Sequence, residues 1–144
     1  MSQWTHVCGC IRIDSLNHET MQEVLKNSLG KILTYDAPDE EWEEQGRHPE
    51  LYTPMGSEGG IKYDIWENPK HNHLAAYTIS IWGDLRDYND VSEITEWFNK
   101  VLYNSGLMIS DAVLSIDVEY QGKTVLLYKY KANECVVMKE EVTK

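Results

Sequence analysis

At 144 residues, with 42% hydrophobic and 26% charged side chains, the chain has the size and balance of one soluble globular domain, so neither disorder nor a membrane class is indicated. No apolar run approaches the roughly 20 residues that a spanning helix needs. A net charge of −11 opposes a phosphate backbone and argues against ordinary nucleic-acid binding, leaving a protein with a basic surface as the expected partner.

Trp4 to Asp14 reads as a strand, with Val7, Ile11 and Ile13 on one face and Trp4, His6, Cys8, Cys10 and Arg12 on the other. Gly9 falls on the apolar face, which predicts close approach by a helix packed above it. From Asn17, an N-cap candidate, the residues Met21, Val24, Leu25, Ser28, Leu29 and Ile32 recur at spacings of three and four, so an amphipathic helix should run to about Leu33. Tyr35 to Met55 has no clean period and carries Pro38, Pro49 and Pro54; it reads as a long excursion with room for one short helical turn.

Gly56-Ser57-Glu58-Gly59-Gly60 is a turn by composition. In the strand that follows, Ile61, Tyr63 and Ile65 share a face, Asn68-Pro69 breaks the pattern, and Leu74 to Trp82 returns as the second arm of an antiparallel hairpin closed by Gly83. Asp90, three residues before Glu93, has the spacing of a helix N-cap. The helix it opens carries a heavy stripe of Val91, Ile94, Trp97, Phe98, Val101 and Leu102, ended by Asn104-Ser105-Gly106. A second hairpin pairs Ala112–Tyr120 with Thr124–Tyr130 around Gln121-Gly122-Lys123. Cys135 to Met138 is a candidate edge segment, and Lys139 to Lys144 reads as a polar tail, so residues 1–138 are expected to form one domain and 139–144 to trail from it.

The element order is strand, helix, strand, strand, helix, strand, with a strand appended. That order predicts an α+β, ferredoxin-like βαββαβ sandwich whose antiparallel sheet is covered on one face by two helices. The other face should then show His6, Cys8, Cys10, Thr78, Ser80, Trp82, Ser115 and Asp117.

No catalytic constellation stands out: the chain lacks a Gly-x-Ser-x-Gly elbow and a His-Glu-x-x-His helix, so no enzymatic activity and no cofactor are expected. His6, Cys8 and Cys10 combine the ligand types that zinc prefers, but one strand offers only three of them and structural sites need a fourth; partly buried sheet residues are the simpler reading. The glycine turn could cradle an anion with its amides, yet no Walker lysine follows and Glu58 would repel phosphate, which favours a structural turn. Three cysteines, Cys8, Cys10 and Cys135, form no even framework and fit reduced thiols. The amino-terminal residues show no basic segment and apolar core of a signal peptide, so a cytoplasmic location is expected.

The acidity is concentrated in Asp39, Glu40, Glu41, Glu43 and Glu44, which surround Trp42. Such a run serves either as a solvated loop or short surface helix, or as a negative patch that docks on a cationic partner with Trp42 as its apolar anchor. Trp66 and Trp82 lie outside the helix stripes as well and are candidate interface aromatics. The alternative from another class is a domain that sequesters a small ligand under the 35–55 excursion, near Gly56, Ser57, Glu58, Gly59 and Trp66, or at a homodimer interface.

Trp4-Thr5-His6-Val7 with Gly9, Ile11, Arg12 and Asp14, then Pro54-Met55-Gly56-Ser57-Glu58-Gly59 and Ile81-Trp82-Gly83-Asp84-Leu85-Arg86-Asp87-Tyr88, resemble uncharacterised proteins of tailed bacteriophages. The resemblance spans Trp4 to about Tyr103 and implies a context: a small acidic accessory protein made in an infected bacterial cytoplasm and acting by binding a host component, such as a nucleic-acid-binding or defence factor. It implies no activity, cofactor or catalytic residue.

Overall fold

In strand β1 (Trp4–Ser15), Val7, Ile11 and Ile13 are buried whereas His6, Cys8, Cys10 and Arg12 are exposed, so the period of two divides the sheet into a covered and an open face. The computed structural model describes residues 2–15, 21–71, 74–104, 108–131 and 134–142. Among them β2 (Lys62–His71), β3 (Leu74–Arg86), β4 (Met108–Val118), β5 (Gly122–Lys131) and β6 (Glu134–Val142) join β1 in one sheet of order β2-β3-β1-β4-β5-β6. Every pairing is antiparallel.

Two helices close the covered face. Leu25 and Leu29 of α1 (Met21–Leu29) and Ile94, Phe98, Val101 and Leu102 of α3 (Val91–Asn104) belong to the same buried cluster as Ile11, Ile79 and Leu114 of the sheet. Each such side chain, fully buried, contributes about 1.5–3 kcal/mol relative to leaving it exposed. A third helix, α2 (Asp39–Arg47), followed by a 3-10 turn at Pro49–Leu51, lies outside this core and has no buried residue. None of the described helices is long and apolar enough to cross a membrane.

The architecture is therefore α+β, with an antiparallel sheet and helices on one face. β5 is the appended strand that the element order predicts; β6 lengthens the candidate edge segment Cys135–Met138 to Glu134–Val142, and α2 is added to the helices. The pairing of β6 runs from Glu134 to Val142, so residues 139–142 are hydrogen-bonded to β5 where the sequence reads as a polar tail.

Several boundaries move for identifiable reasons. Helix α1 stops at Leu29, not near Leu33, because Gly30 adopts φ +100° and its N–H donates to the Lys26 carbonyl, a left-handed helix end that glycine favours. Asn17, the expected N-cap, and Ser105 and Gly106, the expected helix stop, lie outside the described residues. The Asp90 cap is present: its Oδ1 accepts the Glu93 N–H at 3.1 Å.

Strand β2 continues through Asn68-Pro69 to His71 with a register irregularity there. Proline is tolerated because β2 is the sheet edge. Strand β3 does not end at Gly83 but runs to Arg86; at Gly83 a Cβ would sit 2.6 Å from the Gly60 carbonyl oxygen, so the glycine admits the neighbouring chain rather than breaking the strand. Gly9 also marks a close approach, though of the β4 backbone and not of a helix. Tyr120, expected as the last residue of the first arm of the second hairpin, instead takes φ +68° in the β4–β5 turn and is 82% exposed.

Candidate docking surface and its neighbours

Pro38, with Asp39, Glu40 and Glu41 in the first turn and Arg47 in the last, gives α2 a charge order that complements its dipole. Because no residue of this helix is buried, the sequence gives it no apolar stripe. The Glu44 carboxylate ties it to the body of the fold. Glu44 Oε1 accepts the Tyr52 hydroxyl at 2.7 Å and the Lys31 ammonium at 3.1 Å, while Tyr52 is itself 3% exposed and anchored in the fold. The Tyr52 hydroxyl hydrogen bond, followed by Lys31, holds the Glu44 carboxyl below its usual range, and the same bond to Glu44 pushes the tyrosine up to about 12.

Lys31 is also the seam that returns the excursion to the body, its N–H donating to the Leu51 carbonyl and its carbonyl accepting the Thr53 N–H. Asp39, Glu40, Glu41 and Glu43 remain exposed around Trp42, which is 40% exposed. The six acidic-segment candidates thus separate into five that face solvent and one, Glu44, that tethers the helix.

The glycine turn is built into the sheet end. Gly56 N–H donates to the Gly59 carbonyl, Ser57 N–H to the Arg86 carbonyl, and Arg86 N–H to the Glu58 carbonyl. A Cβ at Gly56 would lie 2.3 Å from the Arg86 carbonyl oxygen, and one at Gly59, at φ +73°, 2.1 Å from that of Asp84. The glycines are there for backbone-to-backbone packing, and the Gly56 and Ser57 amides are engaged in it. Arg86 closes the junction by donating to Glu58 at 2.8 Å and to Ser2.

On the open face, cross-strand neighbours form a row Lys62, Trp82, Cys8, Ser115 and Val125 across five strands. Trp82 is 40% exposed, and Trp66, at 57%, donates its indole N–H to Ser80 Oγ at 3.1 Å. Thr78, Ser80, Ser115 and Asp117 are half-buried on this face, as the alternation requires. Cys8 and Cys10 are free and exposed. They do not converge with His6 on a common point, since His6 and Cys10, four residues apart on the strand, stand roughly 13 Å apart along it. Among the described residues no set of three or more His, Cys, Asp or Glu side chains is placed to hold a metal ion.

His6 has partners of another kind. Its Nδ1 lies 2.6 Å from Asp84 Oδ1 and its Nε2 3.3 Å from Glu119 Oε2, and an imidazolium can donate to both at once. The hydrogen bond to Asp84, with that to Glu119 behind it, outweighs desolvation and raises the His6 pKa above the ordinary 6.5. The sign follows from linkage: this stabilisation is complete below the unfolded value of about 6.5 and is lost as pH rises through the higher folded value. His6→Gln is therefore expected to flatten the fall in urea-unfolding stability as pH rises above about 6.5, and the wild-type His6 ring protons should titrate by NMR with a midpoint above 6.5. A midpoint below that value would exclude the two carboxylate contacts in solution.

Between the 3-10 turn and α3 lies a cleft of about 360 Å³. Pro54, Met55 and Trp97 supply apolar lining; Glu50, Glu93, Glu96 and Lys100 supply charge. Seven of its lining residues, from Gln45 to Met55, belong to the 35–55 excursion under which the sequence suggests a pocket, whereas none of Gly56, Ser57, Glu58, Gly59 or Trp66 lines it. Helical spacing assigns Trp97 to the core stripe; in the fold it is half-buried and also lines this cleft, its indole N–H donating to the Leu29 carbonyl at 2.8 Å.

No protein-family model matches the sequence, and no curated protein or solved structure matches it significantly.

Proposed function

We propose that this chain is a non-enzymatic accessory protein, of the phage type that its sequence resembles, which binds a basic protein surface through α2. The observation that carries this reading is the combination in one helix of no buried residue, four exposed carboxylates and a 40% exposed tryptophan. A helix that contributes nothing to the core yet is tied down by a buried tyrosine is displayed rather than merely solvated. Net charge of −11 would steer it toward a cationic partner, such as a host or defence factor whose nucleic-acid-binding groove it blocks, and away from nucleic acid itself.

The test leaves the tether in place. Asp39, Glu40, Glu41 and Glu43 are changed to lysine while Glu44 is kept, and capture from bacterial lysate is compared with wild type. Loss of at least tenfold in captured partner, about 1.4 kcal/mol, is expected with far-UV circular dichroism unchanged. Undiminished capture would remove α2 from the mechanism.

The same reading takes β1, α1, β2, β3, α3 and β4 as a ferredoxin-like unit that β5 and β6 extend. Its support is the partial order β2-β3-β1-β4, antiparallel throughout, with α1 and α3 on one face. A small-ligand-sequestering domain is the second reading, favoured by the cleft between the 3-10 turn and α3.

A further inference from the structure

We infer that the cleft beside α3 is the part of this docking surface that receives an arginine side chain of the basic partner, an inference that rests on the function proposed above. Three carboxylates, Glu50, Glu93 and Glu96, line the cleft against a single ammonium, Lys100, so its charged lining favours a cation over the anionic or neutral metabolite that a sequestering pocket would hold. Its apolar lining is of a particular kind. The Trp97 indole has its N–H taken by the Leu29 carbonyl at 2.8 Å, which fixes the ring and leaves no polar atom of that side chain to satisfy.

A fixed indole in a cleft that carboxylates also line suits a planar guanidinium, which stacks on an aromatic ring, is weakly hydrated and presents several donors in a plane. Met55 and Pro54 offer apolar surface to the methylene stem. The cleft is also continuous with α2, because Gln45 of that helix lines it. A basic segment running along the exposed carboxylates of α2 therefore reaches the cleft within a few residues. The concave site supplies the anchor that a flat acidic helix lacks, since exposed ion pairs are each weak whereas enclosed aromatic and arginine contacts dominate interfaces.

The probe is a hexaarginine peptide titrated into the ¹⁵N-labelled full chain, read by the Trp97 indole N–H signal and the backbone amides of α3 and α2. A saturable shift of the Trp97 indole is expected. It should be lost in E50Q/E96Q, whose two carboxylates are exposed, and kept in the variant with lysine at positions 39, 40, 41 and 43, though at a weaker apparent affinity. Hexalysine should bind the cleft at least fivefold more weakly than hexaarginine. Shifts confined to α2, shifts that survive E50Q/E96Q, or equal response to the two peptides would overturn the arginine site and leave the acidic helix as a diffuse docking element. Absence of any shift on the protein would overturn both readings together. Amide spectra of the variants without peptide report whether each has kept its fold.

Discussion

Phe98→Ala should lower stability by about 3–5 kcal/mol, the range for truncating a buried phenylalanine to alanine in a packed core. Phe98 is the chain's single phenylalanine and is 0% exposed. It stands in the middle of the α3 stripe, one turn from Ile94 and one from Val101 and Leu102, all in the cluster that also holds α1 and the sheet. Removing the ring deletes its transfer free energy and leaves a void in the cluster shared by α1, α3 and the sheet. The measurement is urea unfolding, with the midpoint falling while the slope stays constant. Phe98→Leu, which retains most of the volume, should recover the larger part of the loss. A loss below about 1 kcal/mol for the alanine variant would be incompatible with the burial described.

Why α3 was legible in the sequence and α2 was not comes down to what each buries. Helix α3 packs one face, so Ile94, Phe98, Val101 and Leu102 print their 3.6-residue period on the chain, and Asp90 announces its start. Helix α2 packs none; its signals are Pro38 and the acidic first turn, which charge-run reasoning reads equally well as a solvated loop. Strand faces follow the same rule. Val7, Ile11 and Ile13 or Leu114 and Ile116 alternate because one side of the sheet is covered, whereas residues 139–142 of β6 are mostly polar and read as a tail.

The candidate site divides along similar lines. The exposed members of the acidic segment were recognisable from charge alone, yet Glu44 is distinguished from Glu43 only by Tyr52 and Lys31, eight and thirteen positions away. No local pattern encodes that pairing. Trp97 posed the opposite problem: its spacing is that of a core residue, and half of its environment is indeed core, since its indole N–H reaches across to the end of α1. His6, Asp84 and Glu119 are separated by 78 and 113 positions and meet only because β3 and β4 flank β1.

Glycines were the least reliable guides, and Gly9 supplies the second large effect. Gly9→Ala should destabilise the fold by about 3 kcal/mol or more, the upper end for overpacking. An added Cβ would fall 2.1 Å from the Val113 carbonyl oxygen and 2.9 Å from Leu114 Cα. Both belong to the backbone of β4, which pairs with β1 at Gly9 and Leu114. A crowding side chain could rotate away; a paired strand in the interior of a six-stranded sheet can move only by giving up ladder hydrogen bonds on both its edges. The cost therefore falls on the contact between β1 and the β4–β6 half of the sheet. Amide hydrogen exchange should reveal it as selective loss of protection in β4 and β5 before global unfolding. Gly46→Ala is the control with the opposite sign: nothing lies within 4 Å of a Cβ there, it is inside α2, and alanine should favour that helix by about 0.8–1.0 kcal/mol. Equal effects at the two positions would mean that backbone entropy, and not the approach of β4, decides the outcome at Gly9.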